Sequence, residues 1–162
     1  MSHTISISSD ISKEEKYQSL IPQIQSLVSD EKDIIANFAN ICAALKYNID
    51  GFFWVGFYFN KGKELVVGPY QGPVACNRIK IPDGVCGTAV KERKTIIVDD
   101  INNFPGHIAC SPDSKSEIVI PIFKENEIFA VLDIDSDKLS NFDEIDKNYL
   151  EQLAFIISEI IK

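Results

Sequence analysis

The chain lacks any apolar run long enough to cross a bilayer as a helix, and it lacks an excess of positive charge. Its 16 Lys and Arg stand against 24 Asp and Glu, a formal net charge of -8. That balance argues against nucleic acid and anionic membranes as partners, since both select for basic patches. Met1-Ser2-His3-Thr4 shows no basic segment leading into an apolar stretch, so no secretory signal is read and a cytoplasmic location is expected. Histidine is scarce: His3 and His107 are the only two, far apart in sequence. No Cys-x-x-Cys pair occurs either, so a structural zinc site is not expected and no metal is assigned.

What is present fits one domain. A chain of 162 residues, 45% of them hydrophobic, can bury one real core. It carries four cysteines, Cys42, Cys76, Cys86 and Cys110. In a reducing compartment structural disulfides are rare, which leaves metal binding, catalysis or inert packing.

Periodicity predicts a helix from Ser12 to Val28. Ser12 and Glu15 have capping-box spacing, Tyr17, Leu20, Ile24 and Val28 share a stripe, and Pro22 should kink or split it. A second helix is predicted from Asp30 to Asn48, with Phe38, Ile41 and Leu45 inward and Cys42 packed beside them. Gly51 to Asn60 reads as a strand, with Phe53, Val55, Phe57 and Phe59 on one face and Phe52, Trp54, Gly56 and Tyr58 on the other. A turn at Lys61-Gly62-Lys63 leads to a strand from Glu64 to Val67, an irregular stretch from Gly68 to Cys76, and a short strand from Arg78 to Ile81. A short helix ends near Arg93. Strands follow at Thr95–Val98, Glu117–Phe123 and Glu127–Asp135, and a closing helix runs from Asp143 to Lys162. The elements do not alternate strand with helix. The pattern predicts an α+β fold, a largely antiparallel sheet with the terminal helices on one face. Residues 1–11 are read as a flexible N-terminus and 12–162 as a single domain.

Phe104 to Glu117 has two prolines, a glycine and no apolar periodicity, so it reads as a long loop of the kind that is often functional. It carries Cys110 and ends on Glu117 at the mouth of a strand. Read alone, Cys110 fits a small apolar filler as well as a nucleophile. Strand alternation adds information. Ile118, Ile120, Ile122, Leu132 and Ile134 would meet the helices, so Glu117, Asp133, Asp135 and Trp54 project from the other side, where loops bearing Cys76, Cys86 and Cys110 could cover them. Three carboxylates around one pocket repel and lose solvation, which raises their pKa values; one can then hold a proton and act as general acid. Such a cluster suits an α-amino group, and Trp54 offers a flat wall for a methyl group or a sulfur. Acyl transfer is poorly supported, with His107 the one nearby base. A sulfoxide fits better. A thiol attacks its sulfur, an acid protonates the departing oxygen, and the resulting sulfenic acid condenses with a second cysteine, Cys76 or Cys86. An external dithiol would reduce that disulfide.

Gly68-Pro69-Tyr70-Gln71-Gly72, Val74-Ala75-Cys76, Gly84-Val85-Cys86-Gly87-Thr88-Ala89, Val98-Asp99-Asp100, Phe104-Pro105-Gly106-His107-Ile108-Ala109-Cys110, Ser116-Glu117-Ile118-Val119 and Val131-Leu132-Asp133-Ile134-Asp135-Ser136 follow in that order. Over roughly residues 30–160 the chain resembles the free methionine-(R)-sulfoxide reductases, which are single GAF domains. The resemblance implies a GAF-like, six-stranded antiparallel sheet with the N- and C-terminal helices on one face and the site under loops on the other. It implies reduction of free L-methionine (R)-S-oxide to L-methionine, with Cys110 as nucleophile, Cys76 as main resolving cysteine and Cys86 as a third redox participant. Glu117, Asp133 and Asp135 would hold the substrate amino group and the sulfoxide oxygen, and Trp54 would pack on the methyl group. No bound cofactor is implied; thioredoxin is the implied reductant and a homodimer a common assembly. The chain departs from the family pattern at Ser111, Tyr70 and Phe53, where Asp, Phe and Asn are usual. The competing reading is a GAF module that binds a small ligand or senses oxidation without turnover.

Overall fold

Ser12 caps the first helix, α1 (Lys13–Ser29), in the computed structural model of the chain, which describes residues 4–108 and 110–162. Met1, Ser2 and His3 of the N-terminal segment and Ala109 of the long loop lie outside the described residues. The Ser12 hydroxyl accepts the Glu15 N–H at 3.2 Å and the Glu15 carboxylate accepts the Ser12 N–H at 2.8 Å, the reciprocal pair that the spacing predicts. The expected split at Pro22 does not occur; α1 runs through it. Pro22 is exposed while Ile21 and Ile24 are buried, so its ring has room and the carbonyl it leaves without a helical donor can meet water. The second helix, α2 (Ile34–Asn48), starts at Ile34 rather than Asp30. Asp33 is its cap, accepting the Ala36 N–H at 2.9 Å, while the Glu31 carboxylate takes the N–H groups of Lys32 and Asp33 and keeps them outside the helix. Ahead of α1, Ile5 and Ile7 lie against the core.

The remaining elements are β1 (Trp54–Asn60), β2 (Glu64–Gln71), β3 (Arg78–Lys80), α3 (Gly84–Glu92), β4 (Ile96–Val98), a 3-10 turn at Ile101–Asn103, β5 (Ser116–Lys124), β6 (Glu127–Ser136) and α4 (Glu144–Ile160). The strands form one six-stranded sheet in the order β3-β2-β1-β6-β5-β4, every pairing antiparallel. β2 is longer than the predicted Glu64–Val67 and takes in Gly68-Pro69-Tyr70-Gln71. The proline is tolerated because β3 pairs only with Glu64–Val66, so beyond that point one edge of β2 is open, and a register shift between Gly56 and Tyr58 accommodates the rest.

Alternation sorts the two faces. Val55 and Phe57 of β1, Ile118, Ile120 and Ile122 of β5, and Leu132 and Ile134 of β6 join α1, α2 and α4 in the main core. Each such fully buried side chain contributes about 1.5–3 kcal/mol of burial energy. Trp54, Tyr58, Val119 and Val131 face the other way, into a second cluster covered by α3. Phe52 and Phe53 break the predicted pattern: Phe52 joins the helix side and Phe53 the α3 side. The strand begins at Trp54, so the pleat that fixes alternation does not extend to them. Among the described residues no helix is long and apolar enough to cross a membrane.

Candidate active site

Register sets the site. Trp54 of β1 pairs with Asp135 of β6, and Asp135 pairs with Glu117 of β5, so these three stand abreast across three strands. The next row is Gly56, Asp133 and Val119. Gly56 leaves the space that the Trp54 indole fills; a Cβ there, or at Gly72 (φ +146°), would overlap the ring. Tyr70 stacks on the indole at a centroid distance of 5.2 Å. The indole Nε1–H donates to the Pro73 carbonyl at 3.0 Å.

The long loop leaves the 3-10 turn and returns to the end of β6, where the Lys115 N–H donates to the Ser136 carbonyl at 2.7 Å. This return holds Cys110 over the acidic row. Its Sγ is bonded to that of Cys76, which arrives on the loop after β2; the two Cα atoms are 5.2 Å apart. Cys110, Ser111, Asp133 and Asp135 border both lobes of a narrow cleft. One lobe, of about 400 Å³ counting space open to solvent, is completed by α3, Ile108, Ser114 and Glu117. The other, of about 230 Å³, is completed by Trp54, Tyr58, Val74 and Ala75.

Burial governs the electrostatics. Glu117 and Asp133 are 8% and 6% exposed. Burial first, then the charges of Asp133 and Asp135, hold the Glu117 carboxyl far above the usual carboxylate range. Asp135 is raised in the same way, by burial and by Asp133; Ser114 softens that rise without forming a well-made hydrogen bond. Asp133 rises least, by burial, to about 6. Its Oδ1 is buried without a hydrogen-bond partner, as is the Ser114 hydroxyl. Cys86 sits in the first turn of α3, fully enclosed, its thiol 3.9 Å from Glu117 Oε1 and pushed well up by burial and by the acids. His107, at the rim, is held below its ordinary pKa by burial. The Cys86 thiol and oxygens of Glu117 and Asp133 lie within 4.8 Å of one another, close enough to ligate a cation.

Two features of the cleft were not singled out from the sequence. Gly84, Val85 and Cys86 open α3 against the cleft, and Asp83 gives that helix no side-chain cap, so its first N–H groups are left for an outside acceptor. Pro82-Asp83-Gly84 ahead of an apolar segment is the signal that was there to read. Ser114 is the other, and nothing in a polar loop distinguishes it from Ser111 or Ser116.

The GAF domain family pattern matches residues 29–162. The free methionine-R-sulfoxide reductase of Saccharomyces cerevisiae is 39% identical over 163 aligned positions, covering 96% of this chain and 91% of that protein. The substrate complex of the free methionine-R-sulfoxide reductase from Neisseria meningitidis superposes with a TM-score of 0.94 at 45% identity, covering 98% and 95% of the two chains. This chain belongs to the free methionine-R-sulfoxide reductase family of GAF domains. A Dictyostelium discoideum relative, GAF domain-containing protein A, is 56% identical over 147 residues, 90% of this chain and 92% of that one.

The residues singled out by the resemblance to this reductase family, Cys76, Cys86, Cys110, Glu117, Asp133, Asp135 and Trp54, all gather at this one cleft or in the loops over it. Of the departures from the family pattern, Ser111 borders both lobes and Tyr70 stacks on Trp54. Cys42 is apart, in the helix-side core, as its packing stripe predicts.

Proposed function

We propose that the protein reduces free L-methionine (R)-S-oxide to L-methionine in the cytoplasm, with thioredoxin as the external dithiol. The observation that carries this is the placement of the Cys110 sulfur on the wall of the same cleft as three acids and beside an indole. Asp133, the most readily ionised of the three, carries the charge that meets the substrate ammonium. The open first turn of α3 meets its carboxylate. Trp54, fixed by Gly56 and Gly72, packs on the methyl group. Glu117, whose carboxyl burial and the charges of Asp133 and Asp135 hold well above the usual carboxylate range, is the acid. The Cys110 thiol attacks the sulfoxide sulfur as Glu117 protonates the oxygen, and the proton leaving the thiol restores the Glu117 carboxyl. Collapse carries the hydroxyl to the Cys110 sulfur, breaks both the S–O bond and the new bond between the two sulfurs, and releases methionine. Cys76 attacks the sulfenic sulfur and expels water, giving the disulfide. Two electrons have then passed from two thiols to the sulfoxide.

Incubation with each epimer of free methionine sulfoxide and dithiothreitol, with methionine as readout, tests the reading. Methionine from the R epimer is expected. None from it would overturn the reading in favour of a GAF module that binds or senses without turnover.

A further inference from the structure

Cys86 is a buried thiol of the cleft that the proposed reaction leaves unused, since Cys110 and Cys76 carry both sulfur steps. It stands among acids. Its Sγ is 3.9 Å from Glu117 Oε1, and one donor atom from each of Cys86, Glu117 and Asp133 lies within 4.8 Å of the other two. A tetrahedral zinc ion, with Zn–S of about 2.3 Å and Zn–O of about 2.0 Å, holds its sulfur and oxygen ligands about 3.5 Å apart. The Cys86–Glu117 pair need close by only about 0.4 Å from its 3.9 Å to reach that spacing. Acids beside a cysteine do not alone make a metal site, and two further observations point to a cation here. Asp133, 6% exposed and lining both lobes of the cleft, has an Oδ1 that no donor meets. Among the described residues neither lobe is lined by a lysine or arginine, and none of Glu117, Asp133 and Asp135 enters an ion pair. Buried carboxylates are ordinarily paired or bound to a metal. A substrate ammonium would answer the Asp133 oxygen and offer nothing to the thiol. A dication of borderline softness satisfies sulfur and oxygen together.

We propose that Cys86, Glu117 and Asp133 form a binding site for a divalent cation of the zinc class, with water in the cleft completing its coordination. One thiolate and two carboxylates suit zinc or cadmium; magnesium and calcium favour shells built from oxygen alone. The dication deprotonates the thiol it binds, the proton passes to water, and the added charge offsets the burial that disfavours the anions. No electron moves. The ion lies where the reductase reading places the substrate ammonium, so it would act as an inhibitor that excludes substrate. That consequence rests on the reductase reading; the site itself does not.

The oxidised protein isolates the site. With Cys76 joined to Cys110, the remaining thiols are Cys86 and Cys42, and Cys42 lies in the helix-side core with its thiol donating to the Pro69 carbonyl at 3.4 Å. Cadmium titration read by the ultraviolet thiolate-to-metal charge-transfer band, and zinc titration read by calorimetry, test the proposal. One equivalent of either ion should bind, and cadmium should develop the band. Cys86→Ser should abolish the band, and Asp133→Asn should weaken zinc by at least the roughly tenfold that loss of an outer-shell partner costs. Should Cys86→Ser fail to fold, as judged by circular dichroism, Asp133→Asn and Glu117→Gln decide by the same tenfold criterion. Zinc binding that does not saturate by about 1 mM overturns the proposal. So does a band that survives in folded Cys86→Ser, a zinc affinity unchanged in Asp133→Asn, or displacement of cadmium by excess magnesium, the mark of an unspecific acidic patch. None of these measurements needs turnover, so a protein that makes no methionine with dithiothreitol would lose the reductase reading and still have its metal site decided.

Discussion

Replacing Asp133 by asparagine is expected to stabilise the fold above pH 6 while weakening turnover. Burial pushes the Asp133 carboxyl from an ordinary 3.8 to about 6, and its Oδ1 has no hydrogen-bond partner to offset the lost hydration. A rise of about two pKa units amounts to about 3 kcal/mol against the charged form in the folded state. Between about pH 4 and 6 the folded protein holds a proton that the unfolded chain has released. Stability therefore falls as pH rises through that window and stays lower above it. Asparagine carries no charge at any pH, so the variant escapes that loss, and it also relieves the repulsion that raises Glu117 and Asp135. The 3 kcal/mol is an upper limit, because the amide must itself be buried. At pH 8 a gain of about 1–3 kcal/mol corresponds to a Tm higher by roughly 3–10 °C for a domain of this size. Below pH 4 both side chains are neutral and the difference should vanish. Thermal unfolding by circular dichroism from pH 4 to 8, with both proteins fully reduced, measures it. A gap that does not change with pH, or a variant less stable than the parent at pH 8, would refute the reasoning.

Two further outcomes follow from the cleft. Glu117→Gln keeps the shape and removes the proton donor; kcat with dithiothreitol should fall roughly 10²–10⁴-fold with KM little changed, and near-parental kcat would move the acid to Asp135. Cys76→Ser should release one equivalent of methionine in a single turnover and then stall with thioredoxin, its Cys110 sulfenic acid open to a dimedone probe. Sustained thioredoxin-supported turnover in that variant would assign resolution to Cys86.

Much of this was legible in the sequence because it depends on neighbours a few residues apart. The Ser12–Glu15 cap and the period-two alternation that puts Glu117, Asp133 and Asp135 on one side needed no knowledge of the rest of the chain. What was misread depends on distant partners. Pro69 belongs to a strand because β3 is too short to cover that edge, and α1 passes Pro22 because that side faces water. The residues alone left Cys76 and Cys86 as equal candidates to meet Cys110. In the fold Cys86 is buried in the first turn of α3 against Glu117, while the loop after β2 brings Cys76 across. The α3 terminus was passed over because an uncapped helix start becomes visible only when its surroundings are known.

The bond between Cys76 and Cys110 closes a covalent ring across a sequence separation of 34, and that ring contains β3, α3 and β4. Ring closure of that length removes roughly 3–4 kcal/mol of unfolded-chain entropy in the simple cross-link description. Each turn of the proposed cycle would therefore swing the protein between a stapled form and an open one. The open form, the one ready to react, is the easier of the two to melt or to digest, so heat tolerance and protease resistance both become gauges of how much of the enzyme is waiting for its reductant.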